Sequence, residues 1–145
     1  MTKNFFVPVL LAATLGGAAL AQEGQPGTHF VENWDLDGDG QVSAAEATEK
    51  RDQLFSMFDQ DSNNVLDQFE YGRFDDTRLA DMTENAGGAG SGPMAAVNAG
   101  LTREFNDADG DGAVSRDEFA ARSDDWFGTL DINKDGAVTT EDFGK

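Results

Sequence analysis

The sequence predicts an all-α fold made of four helix-loop-helix units in two repeated halves, with short helices between the loops. An acidic twelve-residue pattern occurs four times, beginning at Asp35, Asp59, Asp107 and Asp131. The starts lie 24 residues apart within each half (35 to 59 and 107 to 131), and corresponding starts lie 72 residues apart. Apolar residues at helical spacing precede the loops, and repetition at a fixed interval indicates one repeated structural unit.

The composition restricts the kinds of partner the chain can bind. Its 145 residues include 28 Asp and Glu against 10 Lys and Arg, for a net charge of −18. Such acidity argues against nucleic acid, which needs clustered Lys and Arg, and against anionic membrane surfaces. It is typical either of a solvated or disordered surface or of a protein that binds multivalent cations. The absence of cysteine excludes disulfides and zinc–thiolate sites, and the single histidine, His29, argues against a histidine-based metal site.

Residues 1–21 are predicted to be a secretory signal peptide that is cleaved after Ala21. Lys3 supplies a positive start, an apolar run follows over residues 5–15, and Ala19–Ala21 is a small-residue cleavage site. The apolar run is short for a membrane span, although a retained N-terminal anchor helix is the alternative. We therefore expect a periplasmic or secreted protein with no stable membrane insertion after cleavage.

The first acidic loop extends from Asp35 to Glu46. Oxygen-bearing side chains occupy its first, third, fifth and twelfth places, which are Asp35, Asp37, Asp39 and Glu46. With Gly40 in the sixth place, the loop matches the calcium-binding pattern D-x-[DN]-x-[DN]-G-x5-E. Ca²⁺ takes six to eight oxygen ligands at about 2.3–2.6 Å, and a sharply turning loop aims alternate side chains inward. Gly40 permits that turn because it adopts a positive φ without a Cβ clash.

The second loop, Asp59–Glu70, departs from the pattern in one place. Asn64 stands sixth, where loop one has glycine. Asn tolerates the left-handed conformation better than most residues do, so we expect the turn to form. Leu54, Phe55 and Phe58 precede this loop, as three apolar residues precede loop one.

Two predicted helices flank a glycine-rich linker over residues 83–93. The helix before the linker extends from about Gln68 to Met82. Its candidate inner residues are Tyr71, Phe74, Leu79 and Met82. The amphipathic helix after the linker is predicted over Met94–Phe105.

The second half repeats the first with two departures. Loop three, Asp107–Glu118, is a full match, but Asn106 stands just before it, where the other loops have an apolar residue. We expect Phe105 to fill that apolar place. Loop four, Asp131–Asp142, ends on Asp rather than Glu. The shorter carboxylate is expected to weaken Ca²⁺ binding there and to narrow its advantage over Mg²⁺.

The four loops resemble those of EF-hand calcium-binding proteins of the calmodulin superfamily, and the resemblance covers about residues 28–144. The 24-residue spacing and the signal peptide resemble small secreted or periplasmic EF-hand proteins of bacteria. Each loop also has an apolar residue in its eighth place: Val42, Leu66, Val114 and Val138. By this resemblance EF-hands 1 and 2 occupy residues 22–82, and EF-hands 3 and 4 occupy residues 94–145.

The resemblance implies a set of Ca²⁺ ligands in each loop. In loop one the ligands are Asp35, Asp37, Asp39, the carbonyl of Gln41, and Glu46. In loop two they are Asp59, Asp61, Asn63, the carbonyl of Val65, and Glu70. In loop three they are Asp107, Asp109, Asp111, the carbonyl of Ala113, and Glu118. In loop four they are Asp131, Asn133, Asp135, the carbonyl of Ala137, and Asp142. The ninth-place residues, expected to act through water, are Ser43, Asp67, Ser115 and Thr139.

The short spacer within each half leaves the pairing of the loops open. Ala47–Phe58 contains no Gly or Pro, so one continuous helix of about 18 Å would place loops one and two at its opposite ends. Alternatively, the chain reverses near Arg51–Asp52, and the two loops pair through Val42 and Leu66. We favour pairing within each half, because it buries more apolar surface.

These features predict a protein that binds Ca²⁺ as a sensor or a buffer. The alternative is a structural or interaction protein whose fold Ca²⁺ stabilises, with a surface for an unidentified protein partner at Phe74, Leu79 or Met82. An enzyme is not expected, because the clustered carboxylates already have ligand places and no HExxH or nucleophile-elbow motif occurs. Cleavage would remove Lys3 and leave a charge of −19, which four Ca²⁺ would bring to −11 (−19 + 8). We therefore expect the Ca²⁺-free form to be loosely packed.

Overall fold

The computed structural model describes residues 26–85 and 94–143, and this part of the chain is mostly helical. The predicted signal peptide and residues 86–93 of the predicted linker lie outside the described residues, whereas residues 83–85 continue a helix. In chain order the elements are α1 Thr28–Trp34, β1 Val42–Ser43, α2 Ala44–Phe58, β2 Val65–Leu66, α3 Gln68–Asn85, α4 Met94–Ala99, α5 Arg103–Asn106, β3 Val114–Ser115, α6 Arg116–Ala121, α7 Ser123–Leu130, β4 Ala137–Val138 and α8 Thr140–Phe143. No helix in these ranges is long and apolar enough to span a bilayer.

A single helix, α2, connects loops one and two. It begins with a capping box, in which the Ser43 side chain accepts from the Glu46 amide while the Glu46 carboxylate accepts from the Ser43 amide. Its 15 residues contain no helix-breaking residue and extend about 22 Å, so the two loops lie at its opposite ends. The prediction that loops one and two pair with each other is therefore wrong, and the continuous-helix alternative is confirmed.

Each loop instead pairs with a loop of the other half. Strands β1 and β4 are antiparallel, with Val42 opposite Val138, and β2 pairs with β3, with Leu66 opposite Val114. These four eighth-place residues are fully buried. Loop one thus pairs with loop four, and loop two with loop three. This pairing between the halves satisfies the backbone N–H and C=O groups of the short strands. Within the first half, the straight helix α2 keeps β1 and β2 too far apart to pair with each other.

The helices of the second half are interrupted more often than the sequence predicts. The expected helix over Met94–Phe105 is split into α4 and α5, because the chain turns at Gly100. Gly100 is buried against the indole of Trp126, which leaves no room for a Cβ. Arg122 separates α6 from α7 by one residue, and both helices pack against α2.

One hydrophobic core joins the two halves. The rings of Trp34 and Trp126 have centroids 4.7 Å apart, and those of Phe55 and Phe119 are 5.7 Å apart. Each contact joins a residue before the linker to one after it, so residues 22–82 and 94–145 do not have separate cores. A half of about 50 residues is marginal as an independent domain. Among the predicted inner residues of α3, the prediction for Leu79 is wrong, because 43% of its surface is exposed.

Candidate metal sites

The first residue of each loop organises the turn. In loop one the Asp35 carboxylate accepts from the amides of Gly38 at 2.7 Å and Gly40 at 2.8 Å. In loop three Asp107 accepts from Gly110 and Gly112 in the same way. Corresponding bonds from the sixth-place amide reach Asp59 in loop two and Asp131 in loop four. Such side-chain-to-backbone bonds are local, so the sequence pattern is sufficient to predict them.

Backbone conformation explains the glycines of the loops. The sixth-place residues have positive φ: 88° at Gly40, 62° at Asn64, 89° at Gly112 and 90° at Gly136. The prediction that Asn64 forms the turn is confirmed. The fourth place also has a positive φ, including 58° at Ser62 and 60° at Lys134, where a side chain is strained. This second constraint was not predicted, although glycine in the fourth place of loops one and three signals it.

The twelfth-place carboxylate folds back over its loop. Glu46 accepts from the amides of Leu36 at 2.8 Å, Asp37 at 3.1 Å and Ser43 at 2.8 Å. The hydrogen bond from the Ser43 amide is the main reason that the pKa of Glu46 lies below its ordinary value, with partial burial opposing the shift. Glu118 has the same arrangement and a pKa lowered for the same reason.

Loop four achieves this closure with a shorter side chain. Asp142 accepts from the amides of Ile132 at 3.0 Å, Asn133 at 3.3 Å and Thr139 at 2.9 Å. Its own amide donates to the carbonyl of Thr139 at 3.2 Å. Asp142 is 3% exposed, so the start of α8 carries the carboxylate inward and compensates for the missing methylene.

The fifth-place side chains accept from the seventh-place amides, which belong to the residues expected to bind a cation through their carbonyls. The amide of Gln41 donates to Asp39 at 2.9 Å, and that of Val65 to Asn63 at 2.7 Å. The corresponding pairs are Ala113 with Asp111 at 2.9 Å and Ala137 with Asp135 at 3.0 Å. All four loops thus share this internal bond.

Three of the four loops bring three carboxylates together. In each group, every residue offers one oxygen within 4.8 Å of the others. The groups are Asp35, Asp37 and Asp39; Asp59, Asp61 and Glu70; and Asp107, Asp109 and Glu118. Loop four has Asn133 in its third place, and the described residues form no such group there. Nine of the predicted ligands therefore converge as carboxylates.

The charge in these loops fits a hard divalent cation. The hydrogen bond from the Asp39 amide lowers the pKa of Asp37, but slight desolvation and the charges of Asp39, Glu46 and Asp35 together outweigh it, and the pKa is raised. A bound cation would favour the ionised carboxylate that this crowding disfavours. The donors are all oxygen, which suits Ca²⁺ or Mg²⁺ rather than a thiophilic metal.

The prediction that Phe105 fills the apolar place before loop three is wrong. Phe105 is only partly buried, whereas Asn106 is fully buried and polar. Asn106 donates to the hydroxyl of Tyr71 at 3.2 Å and accepts from Arg51 at 2.6 Å. A polar residue at a position that is apolar in the other three loops was the available signal for this buried network.

Comparison with known protein families finds a match in the second half of the chain. A family model described as EF hand matches residues 106–121 and 124–145, which contain loops three and four. No curated protein matches the chain. Loops one and two share with the matched loops the bond from the sixth-place amide to the first residue and the bond from the seventh-place amide to the fifth-place side chain.

Proposed function

We propose that this chain binds Ca²⁺ through all four loops; the match of an EF-hand family model to residues 106–121 and 124–145 supports the proposal. The observation that carries the proposal is the convergence of carboxylate oxygens within 4.8 Å in three loops, two before the linker and one after it. The same turn, built on the first-place Asp, supports the assignment of the fourth loop.

The proposed ligands are the twenty groups that the resemblance implies. In loop one Asp35, Asp37 and Asp39 would bind through side chains, Gln41 through its carbonyl, and Glu46 would close the site. The other three loops would use the corresponding places. When bound, the Ca²⁺ of loop one would neutralise part of the carboxylate charge that raises the pKa of Asp37.

Stability is the property that tests this function most simply. A ligand that binds only the folded state adds about 2.7 kcal/mol per site at a concentration one hundred times its Kd. Thermal unfolding followed by circular dichroism should therefore give a much higher Tm with Ca²⁺ than with a chelator. Equal melting curves in the two conditions would refute the proposal.

Loop four is the site where we propose that Mg²⁺ competes. The shorter carboxylate of Asp142 and the absence of a three-carboxylate group among the described residues of loop four support weaker Ca²⁺ selectivity there. The variant Asp142→Glu should raise the Mg²⁺ concentration needed to displace Ca²⁺ from this loop. An unchanged Mg²⁺ competition curve would contradict the proposal.

We propose that the protein is a Ca²⁺ buffer, or a protein whose fold Ca²⁺ stabilises, rather than a sensor that opens. Phe74 and Met82 are each 4% exposed, so of the three residues expected at a partner surface, Leu79 alone is exposed in the structure. Sensor EF-hands expose an apolar groove on binding Ca²⁺, whereas buffers barely do. Fluorescence of an apolar dye should change little when Ca²⁺ is added to the chelator-treated, still folded protein. A large Ca²⁺-dependent increase would favour the sensor.

Export is proposed on the sequence pattern of residues 1–21. Mass spectrometry of the protein purified from its native host should show Gln22 as the first residue. Retention of residues 1–21 would contradict cleavage after Ala21.

A further inference from the structure

One side chain joins loop two to loop three beyond the strand pairing. Arg116 occupies the tenth place of loop three, and its amide donates to the carbonyl of Asn64 at 3.0 Å. Its Nε also donates to Oδ1 of Asn64 at 2.9 Å. Asn64 is the residue that replaces the sixth-place glycine of loop two, so its side chain provides an acceptor that glycine lacks.

The guanidinium of Arg116 is anchored on the end of α2. Its Nη2 donates to the hydroxyl of Ser56 at 3.0 Å, and its Nη1 forms an ion pair with Asp52. The guanidinium carbon lies 4.8 Å from the ring centroid of Phe55. Arg116 is thus attached both to the turn of loop two and to the helix that leads into that loop.

The residues that Arg116 joins are close to the proposed ligands of both loops. The Asn64 amide donates to the first-place carboxylate of Asp59 at 3.0 Å. On the other side, Arg116 follows Ser115, whose amide donates to the twelfth-place Glu118 at 2.8 Å. A change that orders either loop therefore restricts the backbone that positions a carboxylate of the other loop.

The pair formed by loops one and four lacks this connection. The residues that would correspond to Arg116 are Ala44 and Thr140, and those that would correspond to Asn64 are Gly40 and Gly136. The connection is therefore specific to the pair of loops two and three. Loops one and four are joined by the strand bridges of Val42 with Val138 and Ser43 with Ala137.

We propose that Arg116 and Asn64 are positioning residues that couple Ca²⁺ binding at loop two to Ca²⁺ binding at loop three, across the two halves of the chain. This inference rests on the proposed Ca²⁺-binding function. Coupling follows because Ca²⁺ binding at one loop orders the strand against which the strand of the paired loop lies. The paired loop then loses less entropy when it binds its own Ca²⁺. Neighbours in the sequence, loops one and two or three and four, are not coupled by strand pairing.

The test is a Ca²⁺ titration of the full chain followed by nuclear magnetic resonance. The sixth-place amides of Gly40, Asn64, Gly112 and Gly136 report the four loops separately. The variant Glu118→Gln disables loop three. In this variant, the Ca²⁺ concentration at the midpoint of the Asn64 response should rise at least about fivefold. The Gly40 and Gly136 midpoints should keep their wild-type values.

Two results would overturn the coupling. One is an unchanged Asn64 midpoint in Glu118→Gln. The other is a shift of the Gly136 midpoint instead of the Asn64 midpoint in that variant. If no amide of the wild-type chain responds to Ca²⁺, the proposed function itself fails. Independent filling of four responsive loops would overturn only the coupling.

The role of Arg116 is tested separately with Arg116→Gln, which keeps the backbone bond to Asn64 but removes the guanidinium. Arg122→Gln is the matched control, because it removes the same charge from a side chain that contacts Asp125 and Phe105. Relative to this control, Arg116→Gln should raise the Asn64 midpoint and reduce the effect of Glu118→Gln on loop two. Identical Asn64 midpoints in the two variants would reduce Arg116 to a general charge effect and overturn its positioning role.

Discussion

The guanidinium of Arg51 donates to Oδ1 of Asn106 at 2.6 Å, although 55 residues separate them in the chain. Arg51 is 1% exposed, and it also donates to Ser123 at 3.1 Å, Gly100 at 2.9 Å and Phe119 at 2.8 Å. All four acceptors are neutral and belong to the second half. Burial lowers the pKa of Arg51 to about 10, because desolvation disfavours the charged guanidinium. The hydrogen bonds to the four acceptors offset part of that desolvation cost.

Replacing Arg51 should weaken the packing of the first half of the chain against the second. Arg51→Met keeps most of the volume but leaves the buried acceptors unpaired, which should lower the free energy of unfolding by about 2–4 kcal/mol. Urea unfolding of the Ca²⁺-saturated protein measures the change. Arg73→Met, an exposed replacement on α3, is the control and should change the unfolding free energy by less than about 0.5 kcal/mol. Equal values for the two variants would show that the Arg51 network adds no net stability.

The break between α4 and α5 gives a second prediction. In Gly100→Ala the new methyl group would collide with the Trp126 indole, and we expect a loss of about 1–3 kcal/mol of unfolding free energy. Gly128 in α7 has open space around it, so Gly128→Ala should stabilise the protein by about 0.4–1 kcal/mol. Thermal unfolding with Ca²⁺ compares the two variants directly. A stabilising Gly100→Ala would be inconsistent with the tight contact at Trp126.

The internal geometry of the loops could be predicted from the sequence because its causes are local. The bonds from Gly38 and Gly40 to Asp35 connect residues at most five positions apart. The pairing of the loops could not be predicted. Val42, Leu66, Val114 and Val138 are all apolar residues in the same place, so their chemistry does not specify which two lie opposite each other. The choice depends on the straightness of α2, which is a long-range consequence of its continuous helical segment.

The buried polar network could not be predicted for a related reason. Arg51 lies in a polar stretch of α2, and its neighbours Lys50 and Asp52 are not fully buried. Only the packing of α2 against α6 and α7 places its side chain in the core. Asn106 departs from the apolar pattern of the other three loops, but spacing in the sequence does not identify its partner 55 residues away.

Acid should reveal the contribution of the twelfth-place carboxylate in the Ca²⁺-free protein. Because the folded-state pKa of Glu46 lies below the ordinary value of 4.5, its stabilising effect is present above that value and is lost as the pH falls through the lowered pKa. Glu46→Gln should therefore destabilise the protein near neutral pH and less so in acid. Urea unfolding with chelator, followed by tryptophan fluorescence, measures the difference between variant and wild type at each pH.

The control for this experiment is Glu49→Gln, an exposed replacement on the same helix. It corrects for the general effect of removing one negative charge from a chain of net charge −18. A difference between Glu46→Gln and wild type that stays constant between neutral and acidic pH, after this correction, would contradict the assigned cause of the pKa shift.

Calorimetric titration of the purified protein with Ca²⁺ tests the central claim most directly. Four loops share the same turn, the same folded-back twelfth residue and the same bond between the fifth and seventh places. We predict four Ca²⁺ per chain, one for each loop, with loop four losing its ion most readily to Mg²⁺. A stoichiometry of two, or no binding heat at any Ca²⁺ concentration that raises the Tm, would contradict the assignment of all four loops.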